Sequence, residues 1–195
     1  MKRKITTYDM TLVAMFSGLM AVGANITSWA PFLQIANVPL SMQPFFCILA
    51  GLLLGSRLGA LSMTIYALIG IAGAPVFAQF NAGIGVLFES TGGFIFAYIP
   101  TAFVVGKLIE KSNNKKGSIF FIASFVGIVL IYLIGTTYMW LAVNVWLNAP
   151  MSYLAAWGVM AWFAVKDIVF TIIGALIAPR IYHAVSKATN NRIAA

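Results

Sequence analysis

Ser118-Ile-Phe-Phe-Ile-Ala-Ser-Phe-Val-Gly-Ile-Val-Leu-Ile-Tyr-Leu-Ile-Gly-Thr-Thr-Tyr-Met-Trp-Leu-Ala-Val143 contains no Asp, Glu, Lys or Arg. A membrane-spanning helix needs roughly 20 mostly apolar residues, and this stretch supplies them without interruption. Cutting the rest of the chain at polar and Gly/Pro punctuation adds candidates at about 8–28, 41–56, 59–74, 91–110 and 157–181. The spans at 41–56 and 59–74 are short, each about a turn less than a full crossing. Composition agrees: 62% of the 195 residues are apolar and 8% charged, with a mean hydropathy of +0.96. A soluble domain carries about a quarter of its residues as charges, so the solvent for this chain is lipid. The expected fold is an all-α membrane protein, one domain over residues 1–195, in which six transmembrane helices form a compact bundle. No soluble domain, long linker or internal repeat is left over, which argues against an inverted-repeat transporter. Met1-Lys2-Arg3-Lys4 before an apolar stretch imitates a signal peptide, but the stretch is too long for a cleaved segment and reads as the first span.

Twelve Lys and Arg oppose four Asp and Glu, a net charge of +8. No basic cluster is interleaved with aromatics on a polar surface, so nucleic acid is not the expected partner. Eleven of the twelve fall at one face of a six-span arrangement: Lys2, Arg3, Lys4, Arg57, Lys107, Lys111, Lys115, Lys116, Arg180, Lys187 and Arg192. The opposite loops, near 29–40, 75–90 and 144–156, hold no Lys or Arg. The positive-inside rule then places both termini in the cytoplasm. Asn25-Ile26-Thr27 matches a glycosylation sequon at a membrane edge and is read as a chance match.

The outer loops are longer than the basic turns and rich in Trp, Phe, Pro, Asn and Gly. Two prolines, Pro31 and Pro39, preclude a continuous helix in the first loop. Ala74-Pro-Val-Phe-Ala-Gln-Phe-Asn-Ala-Gly-Ile-Gly85 forms the second and runs into Thr91-Gly92-Gly93. Non-helical backbone at this depth is tolerated where it lines a cavity, so these loops are read as a cavity and its lid. The plainer reading makes their aromatics interfacial anchors.

Lys166 is the one basic residue that topology does not explain. It lies fourteen residues before Arg180, about 21 Å deeper along a helix, with Asp167 beside it. Either charge near mid-span costs about 2.5–3.5 kcal/mol on insertion scales, so each should face protein or a cavity. Adjacent helical residues point about 100° apart and need not pair with each other. One reading is an internal ion pair, for instance Lys166 with Glu89 at the outer entrance to the fourth span. The other is an outward-opening site in which Lys166 meets an anionic group and Asp167 accepts polar hydrogens. Such a site suits a small solute with a carboxylate at one end and N–H donors at the other. Asn81 and Gln43 would add donors and acceptors, and Phe77, Phe80, Trp140 and Trp162 apolar walls.

Ala14 and Gly18, with Ser17 and Ala21 at the same offset, form small-residue spacings in the first span. They serve either packing inside the bundle or docking onto another membrane subunit. No G-x-x-x-x-G-K-[ST] phosphate loop is present, and no nucleophile or metal-ligand constellation emerges, so no catalytic residue, metal or cofactor is expected. Cys47 cannot form an internal disulfide and His183 is alone in the basic tail.

Val38-Pro-Leu-Ser-Met-Gln43, Leu49-Ala-Gly-Leu-Leu-Leu-Gly55, Gly59-Ala-Leu-Ser62, Tyr66-Ala-Leu-Ile-Gly70 and Gly73-Ala-Pro-Val-Phe77 follow one another in order. Gly83-Ile-Gly85 and Thr91-Gly-Gly-Phe94 come next. This series closely resembles BioY, the biotin-specific substrate-binding (S) component of energy-coupling-factor (ECF) transporters. The likeness covers most of the chain and is strongest over 38–94. It implies a six-helix S component of a prokaryotic cytoplasmic membrane that binds biotin from outside with high affinity. It also implies a membrane T component and two ABC ATPases as partners, with toppling of the S component carrying substrate inward. Ala14 and Gly18 match the positions that face the T component in that family. Two departures stand out. The family usually has Gly-Pro-Thr-Gly-Gly-Tyr where this chain has Glu89-Ser-Thr-Gly-Gly-Phe94. Its last helix usually has Asp followed three residues later by Lys, whereas here Lys166 precedes Asp167 and Phe170 takes the third place. Lys166 and Phe170 lie one turn apart on one face, so a Lys from the turn above can serve the same pocket. The resemblance, together with the charges, points to Lys166 for the carboxylate of biotin and to Asp167 and Asn81 for its ureido group with Gln43 nearby, with the roles of Lys166 and Asp167 open to exchange. The rival expectations are an S component for another vitamin, a self-contained transporter and an assembly subunit.

Overall fold

The first helix, α1 (Thr7–Asn25), opens on a reciprocal cap. Thr6 Oγ1 accepts the Asp9 amide at 3.2 Å, and the Asp9 carboxylate accepts the Thr6 amide at 2.9 Å. In the computed structural model, residues 5–26, 34–35, 38–39, 41–113 and 117–193 are described, without the side chains of 34–35, 38–39 and 185–193. Lys2, Arg3, Lys4, Lys115 and Lys116, and Trp29 and Pro31 of the first loop, lie outside the described residues. What is described of that loop is an antiparallel pair of two-residue strands, β1 (Gln34–Ile35) and β2 (Val38–Pro39), in the register Gln34 to Pro39.

The short spans read at 41–56 and 59–74 are the two arms of one helical run, α2 (Gln43–Ile71), broken at Gly55 with φ 81° and ψ −178°. Only glycine takes that backbone conformation without strain. A Cβ added at Gly59 would sit 3.2 Å from Gly51 Cα, and Gln43 Nε2 donates to Tyr66 Oη at 2.8 Å. Along a straight helix those pairs would be about 12 Å and 35 Å apart. The arms therefore fold back on each other as a hairpin. Glu110 closes the turn by accepting from Ser56 N at 2.7 Å and Ser56 Oγ at 2.8 Å, a carboxylate at the N-terminus of the second arm.

Three further helices follow: α3 (Gly92–Lys111), α4 (Gly117–Val145) and α5 (Tyr153–Ile193). Among the described residues, five helices are long and apolar enough to cross a membrane. Close helix approach depends on small residues, as expected in lipid. A Cβ on Gly106 of α3 would collide with the backbone of Gly55 and Ser56, and one on Gly51 would lie 2.8 Å from Ala102 O and Val105 Cβ. Gly127 of α4 gives the same room to Val105 and Ile48. The outer flank of α5 exposes Leu154, Trp162, Val165, Val169 and Leu176, an apolar surface suited to acyl chains.

The Ser56–Glu110 contact and the edge-on pair Phe120–Tyr182, 5.7 Å between centroids, bring Arg57, Lys107, Lys111 and Arg180 to one end of the bundle. On α1 the small residues divide. Ser17 is buried and donates to Ser62 O at 2.8 Å, fastening α1 to α2. Ala14 is exposed, and nothing lies within 4 Å of a Cβ added at Gly18.

Candidate substrate-binding site

A cavity of about 240 Å³ opens at the end of the bundle opposite the basic cluster, a little below the range of about 300–1,000 Å³ usual for small-molecule sites. Its floor is Gln43 and Tyr66, brought face to face by the α2 hairpin. The α2–α3 loop, with 3-10 turns at Ala78–Phe80 and Ile84–Phe88, supplies Phe77, Asn81 and Glu89. The Phe77 ring is buried over Gly70, which has no side chain to obstruct it, and meets Tyr66 edge-on at 5.6 Å. From α3 come Phe94 and Tyr98, and from α5 Met160, Phe163, Lys166 and Asp167.

The charges are tied together. Lys166 Nζ lies 2.8 Å from Asp167 Oδ1 and donates to the carbonyl of Ser41, at the foot of the first loop. Asp167 is 4% exposed, and its Oδ2 accepts from Tyr132 Oη at 2.7 Å. Thus the adjacent residues do pair, and the partner of Lys166 is Asp167 rather than Glu89. A lysine this long reaches back along its own helix to cover the roughly 100° between neighbours. The pair is neutral as a unit, and Glu89 adds one negative charge at the exposed mouth.

Lys166, Asp167, Asn81, Gln43, Phe77 and Glu89 all line the cavity. Phe80, Trp140 and Trp162 do not. Phe80 is 50% exposed, and Trp162 is 69% exposed on the outer flank of α5, where its neighbour Phe163 faces the cavity instead. Trp140 packs edge-on against Tyr153 at 5.7 Å, towards the end of α4 and at the start of α5. Sequence reasoning missed Tyr66, Tyr98 and Tyr132. The available signal was that a phenol inside an apolar span needs a hydrogen-bond partner.

The loop is pinned from outside the cavity. Tyr138 Oη donates to Leu87 O at 2.5 Å and Trp146 Nε1 to Phe88 O at 2.6 Å. Gly92 and Gly93 seat the start of α3 against the Leu87 backbone and the Tyr138 side chain, where a Cβ has no room. Asn25 is buried and bonded to the same loop, so the sequon asparagine is turned inward.

Residues 1–187 match the BioY family. The chain belongs to that family. BioYB of Bacillus subtilis (strain 168) is 55% identical over 188 residues, covering 96% of this chain and 94% of that protein. The biotin transporter BioY of Thermotoga maritima is 34% identical over 168 residues, covering 85% and 90%. A crystal structure of the S-component for biotin from an ECF-type ABC transporter shares the fold, with a TM-score of 0.74 at 20% identity over 91% of this chain and 94% of that one. This BioY member thus keeps the family fold, with Glu89 before α3 and a Lys166–Asp167 neighbour pair in α5.

Proposed function

We propose that this BioY protein is the high-affinity biotin-binding S component of an ECF-type importer. The observation that carries the proposal is the end of the bundle opposite the basic cluster. One small cavity there holds the Lys166–Asp167 pair together with Asn81, Gln43 and aromatic walls, in a chain of the BioY family. Lys166 takes the carboxylate of biotin in exchange for part of its contact with Asp167. Asp167 and Asn81 accept from and donate to the ureido group, with Gln43 on Tyr66 close by. The protein is a multi-pass membrane transporter subunit and not an enzyme, in keeping with its relatives. Calorimetric titration of the purified chain with biotin tests the assignment. Saturable binding at one site is expected, and absence of both binding heat and co-purified biotin would sink it.

The hairpin in α2 supports six crossings rather than five, with both termini and the basic end in the cytoplasm and the cavity opening outside. Biotin then enters from outside, and energy comes from a T component with two ABC ATPases. The outward Ala14–Gly18 face of α1 is the docking surface for the T component, and Ser17 is the internal contact. Accordingly, Gly18→Leu should leave biotin affinity unchanged and abolish co-purification with the T component. Loss of biotin binding in that variant would place Gly18 in internal packing. Biotin uptake by cells holding this chain and no ATPase partners would instead favour a self-contained transporter.

Glu89 should act on approach rather than on the bound state, because it is exposed at the mouth. Glu89→Gln is expected to raise the association rate of anionic biotin about twofold to fivefold at low salt, with the gain vanishing at high salt. A salt-independent change would place Glu89 in direct contact with the ligand.

A further inference from the structure

The segment that carries Phe77 and Asn81 into the cavity is held in a conformation L-residues avoid. Gln79 has φ 60° and Phe80 φ 56°, two successive left-handed residues, neither of them glycine. Such backbone persists only where its surroundings over-determine it. Asn25, the last residue of α1, is that constraint. It is 3% exposed and does not line the cavity. Its Oδ1 accepts the Phe80 amide at 2.6 Å, while Nδ2 donates to Ala21 O at 3.0 Å and to Val76 O at 3.4 Å. The Val76 carbonyl also accepts from Tyr66 Oη at 3.2 Å, and Tyr66 Oη accepts from Gln43 Nε2 at 2.8 Å. One continuous set of hydrogen bonds therefore runs from Gln43 on the cavity floor, through Tyr66 and Val76, to Asn25 and the Phe80 amide.

We infer that Asn25 is a positioning residue for the substrate: it clamps residues 76–80 to α1 so that Phe77 and Asn81 are held at the cavity before ligand arrives. An amide is the side chain this place requires. Its oxygen must meet an N–H and its nitrogen two carbonyls, which a carboxylate cannot do and a hydroxyl is too short to reach. The clamp gives the loop a resting position, so opening the cavity on this side means breaking the Phe80–Asn25 bond. The rate at which ligand escapes is then set partly at the outer end of α1. This inference rests on the proposal that the cavity binds biotin.

Dissociation of radiolabelled biotin from the purified full-length protein tests it, together with the melting temperature of the ligand-free protein. Asn25→Ala should release biotin about tenfold faster or more, since the part-buried Phe80 amide and Val76 carbonyl lose their partner. Adding Phe80→Gly to Asn25→Ala should slow release again, because glycine takes a positive φ without a clamp. Release from Asn25→Ala indistinguishable from wild type would overturn the inference. So would a double variant that releases as fast as the single one, since Asn25 would then serve stability alone. Where Asn25→Ala yields no folded protein, hydrogen exchange on the ligand-free wild type decides. Protection of the Phe80 amide is expected, and exchange at the unprotected rate overturns the clamp. That measurement needs no ligand, so failure of the wild type to bind biotin would sink the functional proposal and leave the clamp standing.

Discussion

Lys166→Ala should weaken biotin binding more than any other single change at the cavity. The lysine is the only basic side chain among the cavity residues, and its ammonium already spans Asp167 and the Ser41 carbonyl. Removing it deletes the cation offered to a carboxylate and leaves Asp167 buried with Tyr132 as its bonded neighbour. Losing a buried charge contact with the ligand costs about 2–5 kcal/mol, so affinity should fall on the order of 10²- to 10³-fold, while the broken pair with Asp167 lowers stability. A second variant separates the two. Lys166→Met with Asp167→Asn removes both charges, so the melting temperature should recover towards wild type while biotin affinity stays low. Calorimetric titration and thermal melts on the same preparations read both quantities. Unchanged affinity in Lys166→Ala would move the carboxylate site elsewhere in the molecule.

Gly106→Leu should prevent folding. The position faces the backbone of Gly55 and Ser56, which cannot rearrange as a side chain can, and a Cβ there already collides. Pushing α3 away would also draw Glu110 from Ser56, uncapping the second arm of α2 at the turn of the hairpin. Ordinary overpacking costs about 1–3 kcal/mol; here no relaxation relieves it short of separating α2 from α3. Detergent-solubilised variant should aggregate or elute as a broad species in size-exclusion chromatography. Gly158→Leu is the control, because nothing lies within 4 Å of its added Cβ, and it should behave as wild type. A monodisperse, biotin-binding Gly106→Leu protein would show that the hairpin does not depend on this contact.

Much of the architecture was legible because lipid imposes a crude code. Ser118–Val143 contains no charge and lies inside α4 (Gly117–Val145), and the expected spans at 8–28 and 91–110 overlie α1 and α3 to within a few residues. The weak spans were 41–56 and 59–74. Their shortness was visible, but the run through Gly55 that makes them arms of one hairpin was not, since it depends on Gly106 and Glu110 from a distant helix. At the site, Lys166 and Asp167 stood out because charge is rare in this chain. Aromatic walls were less legible. Phe77 and Phe80 lie three residues apart in one loop, yet Phe77 is buried and Phe80 exposed, a difference set by left-handed backbone that Asn25 holds.

The sequence by itself determined that the chain lives in lipid and which charges stand inside an apolar span. These follow from transfer free energies, which act residue by residue and need no partner. Tertiary structure alone decided that Lys166 pairs with Asp167 rather than Glu89. It likewise decided that Ala14 and Gly18 face outward while Ser17 faces in, and that Asn25 reaches the loop of the cavity. Those outcomes depend on directed contacts a few ångströms long that distant residues complete, as Ser41 and Tyr132 do for the neighbours Lys166 and Asp167, and no local pattern encodes them.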